Sequence, residues 1–242
     1  MTRYVFVDID GCITPGKNRP FNLAAMDALR EEMAKSVYRP VLCTGRSASY
    51  VEAIAQMLGL TGWAICENGG YLYHVRDARV IYHPRLGSAT LNLIDQIKRQ
   101  LQTDGKWTRR AQIEVDKAVA LTLIANDGDA HTLALDLREW LYDSEINVII
   151  RDQCVDILPQ AISKAAGVAH WARRQENPDL SVCCAIGDSD GDLGVFRMVG
   201  RAFAPANASE SVRAVCRYVS EQPHTVGVID IFRRHLCKPL LK

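Results

Sequence analysis

Apolar positions along this chain follow two rhythms, and the change between them divides it. The opening run Tyr4-Val5-Phe6-Val7 is short and unbroken, the pattern of a strand buried on both faces. A loop rich in Pro15, Gly16, Asn18 and Pro20 follows. Asn22 is a candidate N-cap for a helix with Leu23, Met26, Leu29 and Met33 on one face. Residues 40–43 predict a second strand, and Ser47 opens a helix carrying Val51, Ile54 and Leu58. Residues 63–66 predict a third strand. Strands alternating with helices imply βαβ units and a parallel sheet.

The middle of the chain is grouped differently. Residues 71–75 and 79–82 predict a hairpin through Asp77, followed by a helix with Leu91, Ile94, Ile97 and Leu101. A strand pair (112–115 and 118–125), a helix over 129–142 and two more strands (147–150 and 155–158) come next. This grouping predicts an antiparallel sheet with its own helices. From Ser163 the alternation returns, with a helix to Arg174, a strand over 182–186 and a helix carrying Leu193 and Phe196. The expected fold class is α/β: a doubly wound parallel sheet in a core of residues 1–82 and 159–242. A smaller α+β domain is inserted at residues 83–158.

Composition narrows the class without naming a function. Hydrophobic residues make up 48% and charged residues 24%, ordinary for a folded protein of 242 residues. A net charge of +1 without a basic block argues against nucleic acid or an anionic membrane as partner. No apolar run reaches membrane-spanning length, and the first strand starts at once, so a cytoplasmic location is expected. The eight cysteines contain no Cys-x-x-Cys and are expected to be reduced, mostly buried thiols. The six histidines lack metal-ligand spacing.

Candidate chemistry gathers at three predicted strand ends: Asp8-Ile9-Asp10-Gly11, Thr44-Gly45-Arg46 and Gly187-Asp188-Ser189-Asp190-Gly191-Asp192. Lys164 begins the helix that feeds the last of these strands. In an open parallel sheet the carboxyl ends of the strands form the ligand crevice. Carboxylates there can share Mg²⁺, a hard cation that takes oxygen ligands and keeps room for phosphate oxygens. A hydroxyl, backbone N–H groups and a lysine suit the remaining phosphate oxygens.

These motifs, in this order, resemble the haloacid dehalogenase superfamily of phosphatases, in the branch whose cap domain is inserted after the third core strand. The resemblance implies a Rossmann-like core, a nucleophile at Asp8 and a general acid/base at Asp10. It matches Thr44 to the phosphate-binding hydroxyl, with Gly45, Arg46, Asn68 and Asn207 as further phosphate or substrate contacts. Lys164 corresponds to the charge-stabilising lysine, and Asp8, Asp10, Asp188 and Asp192 to the Mg²⁺ site. The stretches Glu67-Asn68-Gly69-Gly70 and Pro205-Ala206-Asn207-Ala208 also look like that cap class. Two positions depart from the pattern: Cys12 stands where threonine is usual, and Gly191 replaces the asparagine that commonly precedes the last aspartate.

The activity implied is a Mg²⁺-dependent phosphatase acting through an aspartyl-phosphate on a small phosphorylated metabolite. The insert would close over the site and read the leaving group. Chain length, insert size and His224-Thr225-Val226-Gly227 look most like archaeal-type phosphoglycolate phosphatases, followed by sugar-phosphate and phosphoglycerate-type enzymes. A phosphomutase or phosphotransferase would use the same aspartyl-phosphate. A rival of another class is a serine hydrolase, because Gly187-x-Ser189-x-Gly191 fits a nucleophile elbow, with Asp230 and His235 following in order. Too little chain remains after Ser189 for that fold, and the flanking acids would oppose an oxyanion.

Overall fold

Val5, Phe6 and Val7 are fully buried and form the inner half of strand β1 (Arg3–Val7). The structure is a computed structural model that describes residues 2–142, 144–151, 154–175 and 177–237. Helix α1 (Leu23–Lys35) starts where the Asn22 side chain accepts from the Ala25 N–H, and it buries Met26, Leu29 and Met33. Strand β2 (Tyr38–Leu42) lies parallel to β1 at the margin of its sheet, where Pro40 costs no ladder bond within it. Helix α2 (Ala48–Leu58) buries Val51, Ile54 and Leu58. Strands β3 (Trp63–Cys66), β4 (Tyr71–His74) and β5 (Arg79–Tyr82) form a separate three-stranded sheet. The third strand therefore pairs antiparallel with β4, and a single parallel bridge between Cys43 and Ile65 connects it to the end of β2.

The second unit spans Tyr82–Ile162. It begins with helices α3 (Ser88–Thr103) and α4 (Gly105–Arg110) and strand β6 (Ala111–Ile113). Strand β7 (Leu121–Ala125), helix α5 (Ala130–Trp140), β8 (Ile146–Arg151) and β9 (Cys154–Pro159) complete it. Its four strands are antiparallel, in the order β6-β7-β9-β8. Alternate residues Leu121, Leu123, Val155 and Ile157 join Ile94, Ile97, Leu133 and Leu137 in one hydrophobic cluster, so one face of the sheet packs on the helices. The unit starts one residue before, and ends four residues after, the insert boundaries expected from sequence.

The chain then completes the first unit, Met1–Ile81 with Ser163–Lys242. Helix α6 (Lys164–Arg174), β10 (Cys184–Ile186), the single turn α7 (Leu193–Phe196) and β11 (Arg201–Ala204) follow. Helix α8 (Glu210–Val215), β12 (Tyr218–Val219) and α9 (His224–Ile231) come next, and a π-helical turn over Phe232–Leu236 continues α9. Five parallel strands run in the order β12-β11-β10-β1-β2. Val7 pairs with Leu42 on one side and Ile186 on the other, so the residues after all three emerge level at one sheet edge. The eight cysteines are free thiols, five of them buried. Among the described residues no helix is long and apolar enough to cross a membrane.

Candidate active site

Asp8 leaves the sheet from the central strand. Its backbone N–H still donates to Ile186 O at 3.0 Å, while its Oδ1 accepts from the Ile9 N–H at 2.8 Å. Lys164 reaches the same place from the first residue of α6, whose N-cap Ser163 accepts from the Ala166 N–H. A cation at a helix N-terminus opposes the helix dipole, so carboxylates must hold it there. They do: Lys164 Nζ lies 2.6 Å from Asp8 Oδ2 and 2.7 Å from Asp192 Oδ1, and its side chain is only 1% exposed. Helix α6 comes this close because Gly167 packs on Gly69. A Cβ on Gly167 would stand 2.6 Å from Gly69 Cα and 2.6 Å from Ile65 Cγ2.

The loop after β10 is built around Asp192. Its Oδ2 accepts from the Asp188 N–H, the Ser189 N–H and the Ser189 hydroxyl, each at 3.2 Å. Gly11 has φ +81, and a Cβ there would fall 1.9 Å from Asp188 Oδ2, so only glycine lets the two loops meet. Oxygens of Asp8, Asp188 and Asp192 all lie within 4.8 Å of one another. One lysine does not balance three carboxylates. Burial, with the neighbouring Asp8 and Asp192 charges, pushes Asp188 up to about 8. Burial raises Asp8 to about 6 against the opposing pull of Lys164. Oxygen donors and surplus negative charge suit a divalent cation such as Mg²⁺. Asp8 and Asp188 are the better candidates to hold it, because Asp192 already takes four donors.

Asp10 stands apart from this trio. Its two oxygens accept from Arg46, Nε to Oδ2 at 2.6 Å and Nη2 to Oδ1 at 2.8 Å. Asp10, expected in the Mg²⁺ site, has its carboxylate engaged in this bidentate ion pair. Arg46, expected as a phosphate or substrate contact, grips this protein carboxylate. Thr44 is buried, and its Oγ1 accepts from the Arg46 N–H at 3.2 Å, which leaves the hydroxyl hydrogen to donate. Its loop is pinned from behind by two left-handed residues, Glu67 (φ 45) and Asn68 (φ 57). Their N–H groups donate to Arg46 O at 3.0 Å and Thr44 O at 2.9 Å. Strain of this kind persists only where surrounding contacts hold it; here Tyr71 donates to Glu67 Oε1 at 3.1 Å and accepts from the Ala48 N–H at 2.8 Å. The Asn68 side chain lies against Gly45, 3.2 Å from where a Cβ would be.

Asn207 ties loops together. Its Nδ2 donates to Gly11 O at 2.9 Å and approaches Asp188 Oδ2 at 3.5 Å, and its Oδ1 accepts from the His224 N–H. Cys12 Sγ lies 3.9 Å from Asp188 Oδ1, and burial keeps its thiol protonated. The serine-hydrolase rival finds no support. The Ser189 hydroxyl is committed to Asp192, Asp230 accepts from Tyr218 and Ser220, and the His235 ring stacks on Phe203. Sequence reasoning missed Tyr50, whose ring lies 4.4 Å from the Arg46 guanidinium, and the buried Glu67–Tyr71 support. The four-residue spacing of Arg46 and Tyr50 at the start of α2 was the available signal for the first.

The haloacid dehalogenase-like hydrolase family matches residues 5–118 and 95–232. The chain belongs to this family. A phosphoglycolate phosphatase of Methanopyrus kandleri is 28% identical to it, over 98% of each chain. Another, from Methanothermobacter thermautotrophicus, is 27% identical over 97% of this chain and 99% of its own. Among solved structures, a haloacid dehalogenase-like hydrolase from Bacteroides thetaiotaomicron superimposes with a TM-score of 0.71 at 18% identity, over 97% of this family member and 99% of its own chain. The sucrose-phosphatase of Synechocystis, solved with sucrose and phosphate, gives 0.69 at 16% identity, covering 96% and 98%. These two share the fold, a parallel α/β core with an additional antiparallel domain.

Proposed function

We propose that this protein is a Mg²⁺-dependent phosphatase of a small phosphorylated metabolite, with phosphoglycolate the leading substrate, acting through an aspartyl-phosphate on Asp8. Family membership and full-length similarity to phosphoglycolate phosphatases make it a phosphoric monoester hydrolase. The observation that carries the finer reading is the buried Lys164 between Asp8 and Asp192, with Asp188 beside them. That is one cation and a surplus of hard oxygen ligands around a carboxylate nucleophile.

The proposed chemistry has two steps. An Asp8 oxygen attacks phosphorus, the bond to the leaving oxygen breaks, and Asp10 gives that oxygen its proton. Water then attacks the phosphorus, Asp10 takes its proton, and the Asp8–phosphorus bond breaks to release phosphate. Lys164, the Thr44 hydroxyl and N–H groups of the two loops offset charge on the non-bridging oxygens. Mg²⁺, held by Asp8 and Asp188, would supply further neutralisation of that charge.

A phosphate-release screen over phosphorylated carboxylic acids and sugars, with Mg²⁺ and with EDTA, tests this. Turnover that depends on Mg²⁺, with phosphoglycolate among the best esters and phosphate released stoichiometrically, is expected. Turnover unchanged by EDTA, or phosphate passed to a second alcohol, would contradict it.

A further inference from the structure

Arg46 is built into its place from every side. Its N–H donates to Thr44 Oγ1, and its carbonyl accepts from the Glu67 N–H. The guanidinium lies 4.4 Å from the Tyr50 ring, and two of its nitrogens bond the two oxygens of Asp10. Its side chain is 14% exposed, against 34% for Asp10. A group that binds substrate phosphate would keep its fork turned to the crevice. This fork is spent on a protein carboxylate and braced by an aromatic face. Among the described residues, Asp10 has one further side-chain hydrogen bond, from the Thr14 hydroxyl at 3.4 Å, which is long. Orientation of the Asp10 carboxylate therefore comes from Arg46.

We propose that Arg46 is a positioning residue for Asp10, with Tyr50 as its platform, and not a phosphate ligand. The proposal rests on the phosphatase reaction above. In that reaction Asp10 must meet the leaving oxygen in one step and water in the next, and a rotating carboxylate would miss both. A guanidinium fork fixes the plane of a carboxylate, whereas a lysine ammonium binds as a point charge. The two roles therefore part at Arg46→Lys. A phosphate ligand tolerates the change in large measure, because charge is what it supplies. A positioning fork does not.

The test compares wild type, Arg46→Lys and Arg46→Gln in kcat/KM on two esters with Mg²⁺ present. Phosphoglycolate has a poor leaving group that needs a proton, and p-nitrophenyl phosphate has one that leaves without it. Since kcat/KM reports the first irreversible step, the two esters differ in their need for a well-placed Asp10. Both variants should lose roughly 10²-fold on phosphoglycolate and less than about 10-fold on the aryl ester. Inhibition by inorganic phosphate should be unchanged. Equal losses on both esters with weaker phosphate inhibition would make Arg46 a phosphate ligand, and Arg46→Lys at wild-type rates would also overturn the proposal. If Arg46→Gln does not fold, the lysine variant decides alone. Wild-type protein that turns over neither ester overturns the phosphatase reading, and the positioning role with it.

Discussion

Three carboxylates face one lysine at the end of β1, and that imbalance has a measurable consequence. Asp188, at about 8, and Asp8, at about 6, are raised above their ordinary value of 3.8. A raised carboxylate binds its proton more tightly in the folded chain than in the unfolded one. Its contribution to stability is therefore full below pH 3.8 and is lost as pH rises to about 8. Asp188→Asn removes that loss. Metal-free protein carrying it should melt higher than wild type at pH 8 and close to wild type at pH 4–5. Added Mg²⁺ should raise the melting temperature of wild type but much less that of the variant. A scan of melting temperature against pH, with and without Mg²⁺, checks the sign. The acids themselves were legible in the sequence, because each follows an apolar run and carries its own charge. Their partners were not. Nothing near Asp10 announces Arg46, which lies 36 residues away, and nothing near Asn207 announces Gly11, 196 residues away.

Elements place these side chains more tightly than motifs suggest. Helix α6 delivers Lys164 by resting on the loop at Gly69, with no room for a methyl group at Gly167. Gly167→Ala should push the helix away, costing about 1–3 kcal/mol in urea unfolding. It should also lower turnover more than stability alone explains, since Lys164 moves off Asp8. Unchanged kcat in a stably folded variant would show that the contact is incidental. Long elements with a strong period were readable in advance: α1 from Asn22 and α2 from Ser47 stand where the pattern puts them. Short ones were not. β11 has four residues and β12 two, too few to show any period, yet β11 extends the parallel sheet from β10 and β12 extends it from β11. β3 looks like a core strand by composition, and its antiparallel partner β4 decides its sheet.

At the scale of the molecule, each unit has a hydrophobic cluster of its own. Each has its own sheet and helices, so each should unfold with its own cooperativity. Leu133→Ala deletes a side chain that is 1% exposed in the cluster of the second unit. Hydrogen exchange should show a loss of about 2–5 kcal/mol confined to that unit, with protection of β1 and β10 kept. Uniform loss across both units would mean that they unfold together. The central claim concerns the first unit alone: Asp8 carries the phosphoryl group. It is tested most directly by acid-quenching the protein during turnover of phosphoglycolate with Mg²⁺ and mapping the label by mass spectrometry. One phosphoryl group on the peptide containing Asp8, removed by hydroxylamine and absent from inactive Asp8→Asn, is the expected result. Turnover by Asp8→Asn at the wild-type rate, or phosphate release with no label on Asp8 at any quench time, would contradict it.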